Sequence, residues 1–316
     1  MGSNVTVPQS VHSLVPGTLS LVGGAVPADD RQCWAPESPG RWLPMQTYVL
    51  QDGDSAVIVD TSVTALRPQL AEGLQHLLGE NSTADVVMTR YNFDTLVNFP
   101  WLRRTFKVEH LYTSLLAGFV LGTDEVMSFV DAFEEAHTEA QVKWAAGVEP
   151  MGLPQNADFE AGGRKMRCVA APLRLLLTNW VYDYDTKTLF SSDSWGIGTV
   201  ATPTERPVIE SSDHHSLTRD AVATALVNRF DWLAGADTDP VRKAIDDFFD
   251  TYPVERIAPS HGAVIEGAEN VALVREYSDE VLKDFRTTPL PRLVVDSDSY
   301  PTRVIKAEEL RLKESA

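Results

Sequence analysis

Cysteine, basic residues and long apolar runs are all scarce in this chain of 316 residues. The two cysteines, Cys33 and Cys168, are too few for a disulfide framework and are not spaced as a CxxC pair. This usage is typical of a reducing compartment, so we predict a cytoplasmic protein. No stretch reaches the roughly 18 uncharged apolar residues that a membrane-spanning helix requires. Membrane association is therefore not expected.

Acidic residues outnumber basic residues, with 45 Asp and Glu against 27 Lys and Arg, which gives a formal net charge of -18. Such a chain, without a basic run, repels a phosphate backbone, so nucleic acid is not an expected partner. The glycine-rich phosphate loops of ATP-binding and NAD-binding proteins are absent too. Ser191, Ser192 and Ser260 do not lie in a Gly-x-Ser-x-Gly elbow, so serine hydrolysis is not predicted.

The hydrophobic content of 43% is that of an ordinary globular protein with a sizeable core. Two β-hairpins are predicted, one joining 47–50 to 56–59 through Asp52-Gly53 and one over 158–170 that turns at Gly162-Gly163. Apolar residues at helical spacing predict a helix over 64–78 with Thr64 as its cap.

The remaining elements follow a regular order. Strands are predicted over 19–24, 85–88, 110–113, 179–184, 188–191 and 256–258, and helices over 123–144, 217–233, 239–249 and 271–285. Each half runs from strands into helices, as two sheets packed face to face with helices outside would require. We predict one domain over 1–286 and an extended tail over 287–316.

Five motifs occur in an order that resembles the metallo-β-lactamase superfamily. They are Tyr48-Val-Leu, Val57-Ile-Val-Asp60-Thr61, the loop 89–95, Leu189-Phe-Ser-Ser-Asp193 and Pro259-Ser-His261-Gly262. The last two are most similar to the diiron domain of flavodiiron proteins and their oxygen-binding relatives. The resemblance spans residues 15–285 and implies an α/β fold, an αββα sandwich of two mixed β-sheets flanked by helices. No flavodoxin domain follows the motifs, so an FMN module is not expected.

In that family a histidine-rich loop, a later His, a bridging Asp and a final His bind two metals. The resemblance puts these residues at the family's ligand positions: Arg90, Asn92, Asp94, Thr95, Arg174, Asp193 and His261. Arg174 is assigned from its 19-residue separation from Asp193. Because an arginine cannot lose its proton to bind a metal, only Asp94, Asp193 and His261 keep a metal-binding type.

Two states of this site stay open. In one, Asp94, Asp193 and His261 hold a single Zn, Fe or Mn ion, with water or substrate at the open positions. In the other no metal binds, and Arg90 and Arg174 pair with carboxylates that would be costly to bury alone. A guanidinium also presents a planar fork of donors to an anionic or electron-rich substrate.

The leading interpretation is a hydrolase, or a subunit of one, that activates water against a small organic substrate. Asp94 is the candidate general base, while Arg90 and Arg174 stabilise developing negative charge. Asp193 and His261 hold a metal or orient the water. The alternative is a non-catalytic pseudoenzyme that assembles with a metal-replete paralogue. Family members commonly pair, so a homo-oligomer or a hetero-oligomer is expected in either case.

Side chains beside the motifs have simpler interpretations. The adjacent His214 and His215 are predicted to lie in a solvated loop rather than to act as a proton shuttle or an extra metal ligand. Asp60, at a strand end, is predicted to have a structural role. The flanking aromatic side chains are predicted to pack in a core or a lid rather than wall a substrate pocket: Tyr91, Phe93 and Trp195.

Overall fold

The computed structural model describes residues 7–29, 38–114, 148–174 and 177–285. The predicted helix over 123–144, the tail over 287–316 and Cys33 lie outside the described residues. The domain boundary at residue 286 therefore stays a prediction. None of the described helices is long and apolar enough to cross a membrane.

The first sheet has seven described strands, and their spatial order is their order along the chain. They are β1 (Val11–Val15), β2 (Leu19–Pro27), β3 (Trp42–Asp52), β4 (Ser55–Val59), β5 (Thr83–Val87), β6 (Lys107–Ser114) and β7 (Glu149–Leu153). Strands β1 to β4 pair antiparallel and β4 to β7 pair parallel. The predicted β3–β4 hairpin is present, and Gly53 in its turn has a φ of 58°, which glycine adopts without steric cost.

The second sheet also has seven described strands. In spatial order they are β12 (Val208–Ile209), β14 (Val264–Glu266), β13 (Arg256–Pro259), β11 (Thr188–Ser192), β10 (Asn179–Asp183), β9 (Arg164–Ala170) and β8 (Ala157–Ala161). The predicted turn at Gly162-Gly163 joins β8 to β9. Strands β11 and β13 run parallel, so their carboxyl ends lie side by side.

The helices lie outside the two sheets. They are α1 (Arg67–Leu77), α2 (Phe93–Leu96), α3 (Phe99–Thr105), α4 (Arg219–Phe230), α5 (Asp239–Thr251) and α6 (Ala268–Phe285). One apolar cluster lies between the sheets and includes Tyr48, Val181 and Phe190. Two more clusters join the outer faces to α1 and α3 and to α4, α5 and α6. The result is the predicted αββα sandwich of two mixed sheets.

Two local expectations were wrong or incomplete. Thr64 does not cap the predicted helix, because a 3-10 turn over Thr64–Leu66 precedes α1 and neither element has a side-chain cap in the described structure. Pro68 in the first turn favours the helix start instead. Strands β1, β7, β12 and β14 were not predicted. The sequence of β7 contains Pro150 and Gly152, which are tolerated at a sheet edge.

Candidate functional site

The motif residues meet where four strands end. Asp60 follows β4, Arg90 lies beyond β5, Asp193 follows β11 and His261 lies just beyond β13. The pairs β4/β5 and β11/β13 are parallel, so each pair brings two carboxyl ends to one edge of its sheet. The packed sheets bring the two edges together, which places polar residues at the end of the sandwich as in other α/β proteins.

Arg90 lies at the centre of this edge and is only 2% exposed. Its Nη1 donates to the hydroxyls of Ser192 at 2.9 Å and Ser260 at 3.1 Å. The same nitrogen is 3.3 Å from Asp193 Oδ1, while Nη2 donates to Asp94 Oδ2. Burial alone would lower the pKa of Arg90, but the surrounding carboxylates outweigh burial and raise it. The guanidinium is therefore a permanent cation joining several chain segments.

Asp193 has three partners at one oxygen. Oδ1 accepts a hydrogen bond from Arg229 of α4 and lies 3.3 Å from His261 Nε2, in addition to its pair with Arg90. Burial opposes ionisation of Asp193, yet Arg90, His261 and Arg229 outweigh it and hold the pKa well below its usual range. Burial lowers the pKa of His261, and together with the charges of Arg90 and Arg229 it outweighs the hydrogen bond and charge of Asp193, which act in the opposite direction. The site thus pairs a carboxylate with a neutral imidazole.

Asp60 is hydrogen-bonded to the residues that precede Arg90 and His261 in the chain. It accepts hydrogen bonds from the backbone N–H of Thr89 at 2.8 Å, from the Thr89 hydroxyl at 2.8 Å and from the Ser260 hydroxyl at 2.6 Å. Its backbone has a φ of 58°, a conformation that non-glycine residues rarely adopt and that often occurs at functional sites. Asp60 therefore positions both the loop that contains Arg90 and the loop that contains His261, in keeping with a structural role.

Arg174 is not part of the cluster, and its position differs from the one that the resemblance implied. Arg174 is exposed, whereas the neighbouring Leu173 is fully buried and its carbonyl accepts a hydrogen bond from Ser194. Arg229 pairs with Asp193 instead. The sequence contained one signal for Arg229: it lies at helical spacing from the buried Val222 and Leu226, so a charge falls on the core-facing side of α4.

The adjacent histidines do not line the site. His214 is exposed, with Nδ1 2.8 Å from Asn270 Oδ1 and Nε2 3.3 Å from Glu269. His215 is exposed as well. Both positions agree with the solvated loop that the sequence favoured.

Of the flanking aromatic residues, Trp195 packs in the protein interior and Tyr91 is partly buried. Trp195 lies 5.0 Å from Trp180 between ring centroids, and its Nε1 donates to Ser278 at 2.8 Å. Tyr91 is partly buried against the outer cluster of the first sheet. The side chain of Phe93 lies outside the described structure.

A cavity of about 290 Å³ opens beside the ion cluster and is lined by Asp193, Arg229 and His261. Small residues on one face of α4 form another wall, among them Ala221 and Ala225. Gly196 also lines the cavity and packs closely on His261: a Cβ at Gly196 would be 2.3 Å from His261 Nδ1. The volume is close to the lower end of the roughly 300–1,000 Å³ range of small-molecule sites.

The three retained metal-binding side chains do not form one ligand set in this arrangement. The Arg90 guanidinium lies between Asp94 and Asp193 and contacts both. Among the residues that the structure describes, no group of three or more His, Cys, Asp or Glu side chains is suited to hold a metal ion. The donor set therefore does not fit a metal while Arg90 keeps this position. Ligation by Asp94, Asp193 and His261 stays a prediction that requires Arg90 to leave.

Solved structures with the same architecture come from flavodiiron proteins and related flavoproteins. Rubredoxin:oxygen oxidoreductase from Desulfovibrio gigas is 17% identical, with a TM-score of 0.63 over 86% of this chain and 61% of that one. A fragment of a diflavin flavoprotein from Nostoc is 16% identical, with a TM-score of 0.62 over 89% and 98%. The chain has the metallo-β-lactamase fold.

A flavodiiron protein from Giardia intestinalis is 13% identical, with a TM-score of 0.61 over 90% of this chain and 61% of that one. The predicted likeness to the diiron domain of flavodiiron proteins is thereby confirmed at the level of fold. The chain spans about three fifths of the length of the Desulfovibrio and Giardia proteins. No family model matches the chain, and no curated protein matches it in sequence. Since fold does not imply function, the chemistry has to be argued from the site.

Proposed function

We propose that the chain is a metal-independent hydrolase, or a subunit of one, acting on a small organic substrate in the cavity beside Asp193. One observation carries this proposal. Two buried guanidiniums, those of Arg90 and Arg229, already neutralise the two carboxylates that would otherwise need a metal cation. The neutral His261 remains beside the Asp193 carboxylate, and both line the cavity.

His261, rather than Asp94, is the general base in this proposal. Asp94 is bound to Arg90, whereas His261 lines the cavity with its Nε2 3.3 Å from a carboxylate that orients the ring and stabilises its protonated form. During attack, His261 takes a proton from water while the water oxygen bonds to the carbonyl carbon. The imidazolium then returns the proton to the leaving group as the carbonyl–heteroatom bond breaks.

Arg229 and Asp193 complete the proposed site. The Arg229 guanidinium lines the cavity and stabilises the negative charge that develops on the carbonyl oxygen. Asp193 acts through its Oδ1, which contacts both His261 Nε2 and Arg229 and so holds the two cavity-lining side chains together. The apolar wall residues Leu43 and Ile197 favour a compact ester, lactone or amide.

The test is turnover of a panel of small chromogenic esters and lactones by protein dialysed against a chelator. We expect chelator-insensitive activity that falls about 10²-fold or more in His261→Gln, the usual contribution of a general base. The matched control is His214→Gln, because His214 is an exposed imidazole outside the cavity and its loss should leave turnover unchanged. Activity that disappears with the chelator and returns with Zn²⁺, or that survives in His261→Gln, would contradict the proposal.

A second candidate is a non-catalytic subunit that assembles with a metal-replete paralogue. It is favoured by the same ion pairs, because arginines that neutralise both retained carboxylates stabilise the fold without any chemistry. Trp232 is 51% exposed and Val227 is 45% exposed at the end of α4, which provides apolar surface for a partner. Co-purification with such a paralogue, with turnover only in the complex, would favour this candidate over the hydrolase.

A further inference from the structure

We propose that Arg90 is a built-in cation, and that replacing it with a small neutral side chain uncovers a divalent-cation site formed by Asp94, Asp193 and His261. This role of Arg90 is seen in stability and metal binding, and it does not depend on whether the cavity turns over a substrate.

The contacts of Arg90 are those that a metal cation would make at this position. Arg90 contacts Asp94 through one terminal nitrogen and Asp193 through the other, so its guanidinium bridges the two carboxylates. The Nη1 nitrogen also donates to the hydroxyls of Ser192 and Ser260. A bound cation would attract the same oxygens, since carboxylates and hydroxyls are ligands for hard metal ions. The guanidinium thus substitutes for a metal in charge and in contacts.

The charges of the cluster favour binding of a divalent cation once Arg90 is removed. Arg90 and Arg229 balance Asp94 and Asp193 in the folded protein. Without Arg90, Asp94 loses its ion-pair partner and Asp193 keeps only Arg229, and removing one partner of a buried ion pair is strongly destabilising. A divalent cation between the two carboxylates supplies the missing positive charge.

Donor atoms of the two carboxylates and the imidazole lie around the guanidinium. Asp94 Oδ1 and Asp193 Oδ2 are buried and have no hydrogen-bond partner within the described part of the chain. His261 Nε2 lies beside Asp193 at 3.3 Å. Two carboxylates and one imidazole suit Zn²⁺, Mn²⁺ or Fe²⁺, with water at the remaining positions.

The experiment compares wild type with Arg90→Ala by thermal unfolding, in chelator and in excess Zn²⁺ or Mn²⁺, with elemental analysis after dialysis. Wild type should retain no stoichiometric metal, and its unfolding midpoint should not respond to the ions. Arg90→Ala should have a lower midpoint in chelator, a rise of several degrees with metal, and close to one bound ion per chain, because a ligand that binds the folded state stabilises it.

Arg164→Ala is the matched control. Arg164 is also buried and donates two hydrogen bonds, at 3.1 and 2.9 Å, to the buried Asp183 on β10. Its loss should destabilise the protein, but metal should not restore the midpoint. The double variant Arg90→Ala with Asp193→Asn should lose the metal response as well. Stoichiometric metal in wild type, no response in Arg90→Ala, or an equal response in Arg164→Ala would overturn the proposal.

If Arg90→Ala does not fold in either condition, two milder variants decide the question. Arg90→Lys keeps the positive charge and should be insensitive to metal. Arg90→Gln removes the charge but keeps a polar chain, and should be less stable in chelator and recover with Zn²⁺. Identical metal responses of the Lys and Gln variants would overturn the role of charge.

Discussion

At the scale of single residues, Asp60 is a buried carboxylate whose hydrogen bonds do not offset its lost hydration. Burial raises its pKa to about 6, although Arg90, Ser260 and Thr89 all act in the opposite direction. A carboxyl group with a raised pKa in the folded state binds its proton more tightly than in the unfolded chain. Its contribution to stability is therefore complete at low pH and is lost as pH rises through about 6.

We predict that Asp60→Asn removes this pH dependence. Relative to wild type, the variant's free energy of unfolding should rise by roughly 3 kcal/mol between about pH 4 and pH 7, two pKa units at about 1.4 kcal/mol each. Denaturant titrations of both proteins across this range measure the difference, in which all other titrating groups cancel. A difference that stays constant with pH would show that Asp60 is ionised in the folded protein at acidic pH.

The sequence motifs predicted four residues of this site but missed Arg229. Arg90, Asp94, Asp193 and His261 follow strand ends, and short motifs next to buried strands fix such positions in the fold. Arg174 was assigned from a distance along the chain to Asp193, and that spacing does not specify which way a side chain points. Arg229 belongs to a helix with no motif, so only its position among buried residues of α4 marked it.

At the scale of elements, glycine residues predicted the hairpin turns correctly, whereas a threonine did not predict the start of α1. The hairpins at Gly53 and Gly162-Gly163 were predictable because these positions have positive φ, which few other residues tolerate. Thr64 was expected to cap α1, yet Pro68 and a 3-10 turn form that helix start. A threonine before a helix does not by itself decide whether its hydroxyl reaches a backbone N–H.

We predict that Thr218→Ala destabilises the protein and Thr64→Ala does not. Thr218 caps α4, the helix that contains Arg229, because its hydroxyl accepts a hydrogen bond from the N–H of Ala221 at 3.1 Å. Losing such a cap costs about 1 kcal/mol. Thr64 is exposed and makes no capping bond in the described structure, so it is the matched control. Equal effects in denaturant titrations would contradict the assignment of Thr218 as the cap.

At the scale of the whole molecule, the candidate site exists only where the layers meet. Residues after β4 and β5 of one sheet contact residues after β11 and β13 of the other, and α4 contributes Arg229 from outside. Most of the strands were predictable from their periodicity and motifs, although β1, β7, β12 and β14 were missed. The contact between layers was not predictable, because it depends on how two sheets and a helix pack. The site and the interior between the sheets should therefore be lost together on unfolding.

Cys168 provides a measure of that cooperativity. It is a free thiol on β9, buried between the two sheets, and burial raises its pKa to about 12. Since the thiolate is the reactive form, labelling requires the sheets to separate. In a Cys33→Ser background, we predict that the free energy of opening from thiol labelling equals the global free energy of unfolding from denaturant titration. A much smaller opening energy would show that β8 and β9 detach from the second sheet by themselves, and that the sandwich is not one cooperative unit.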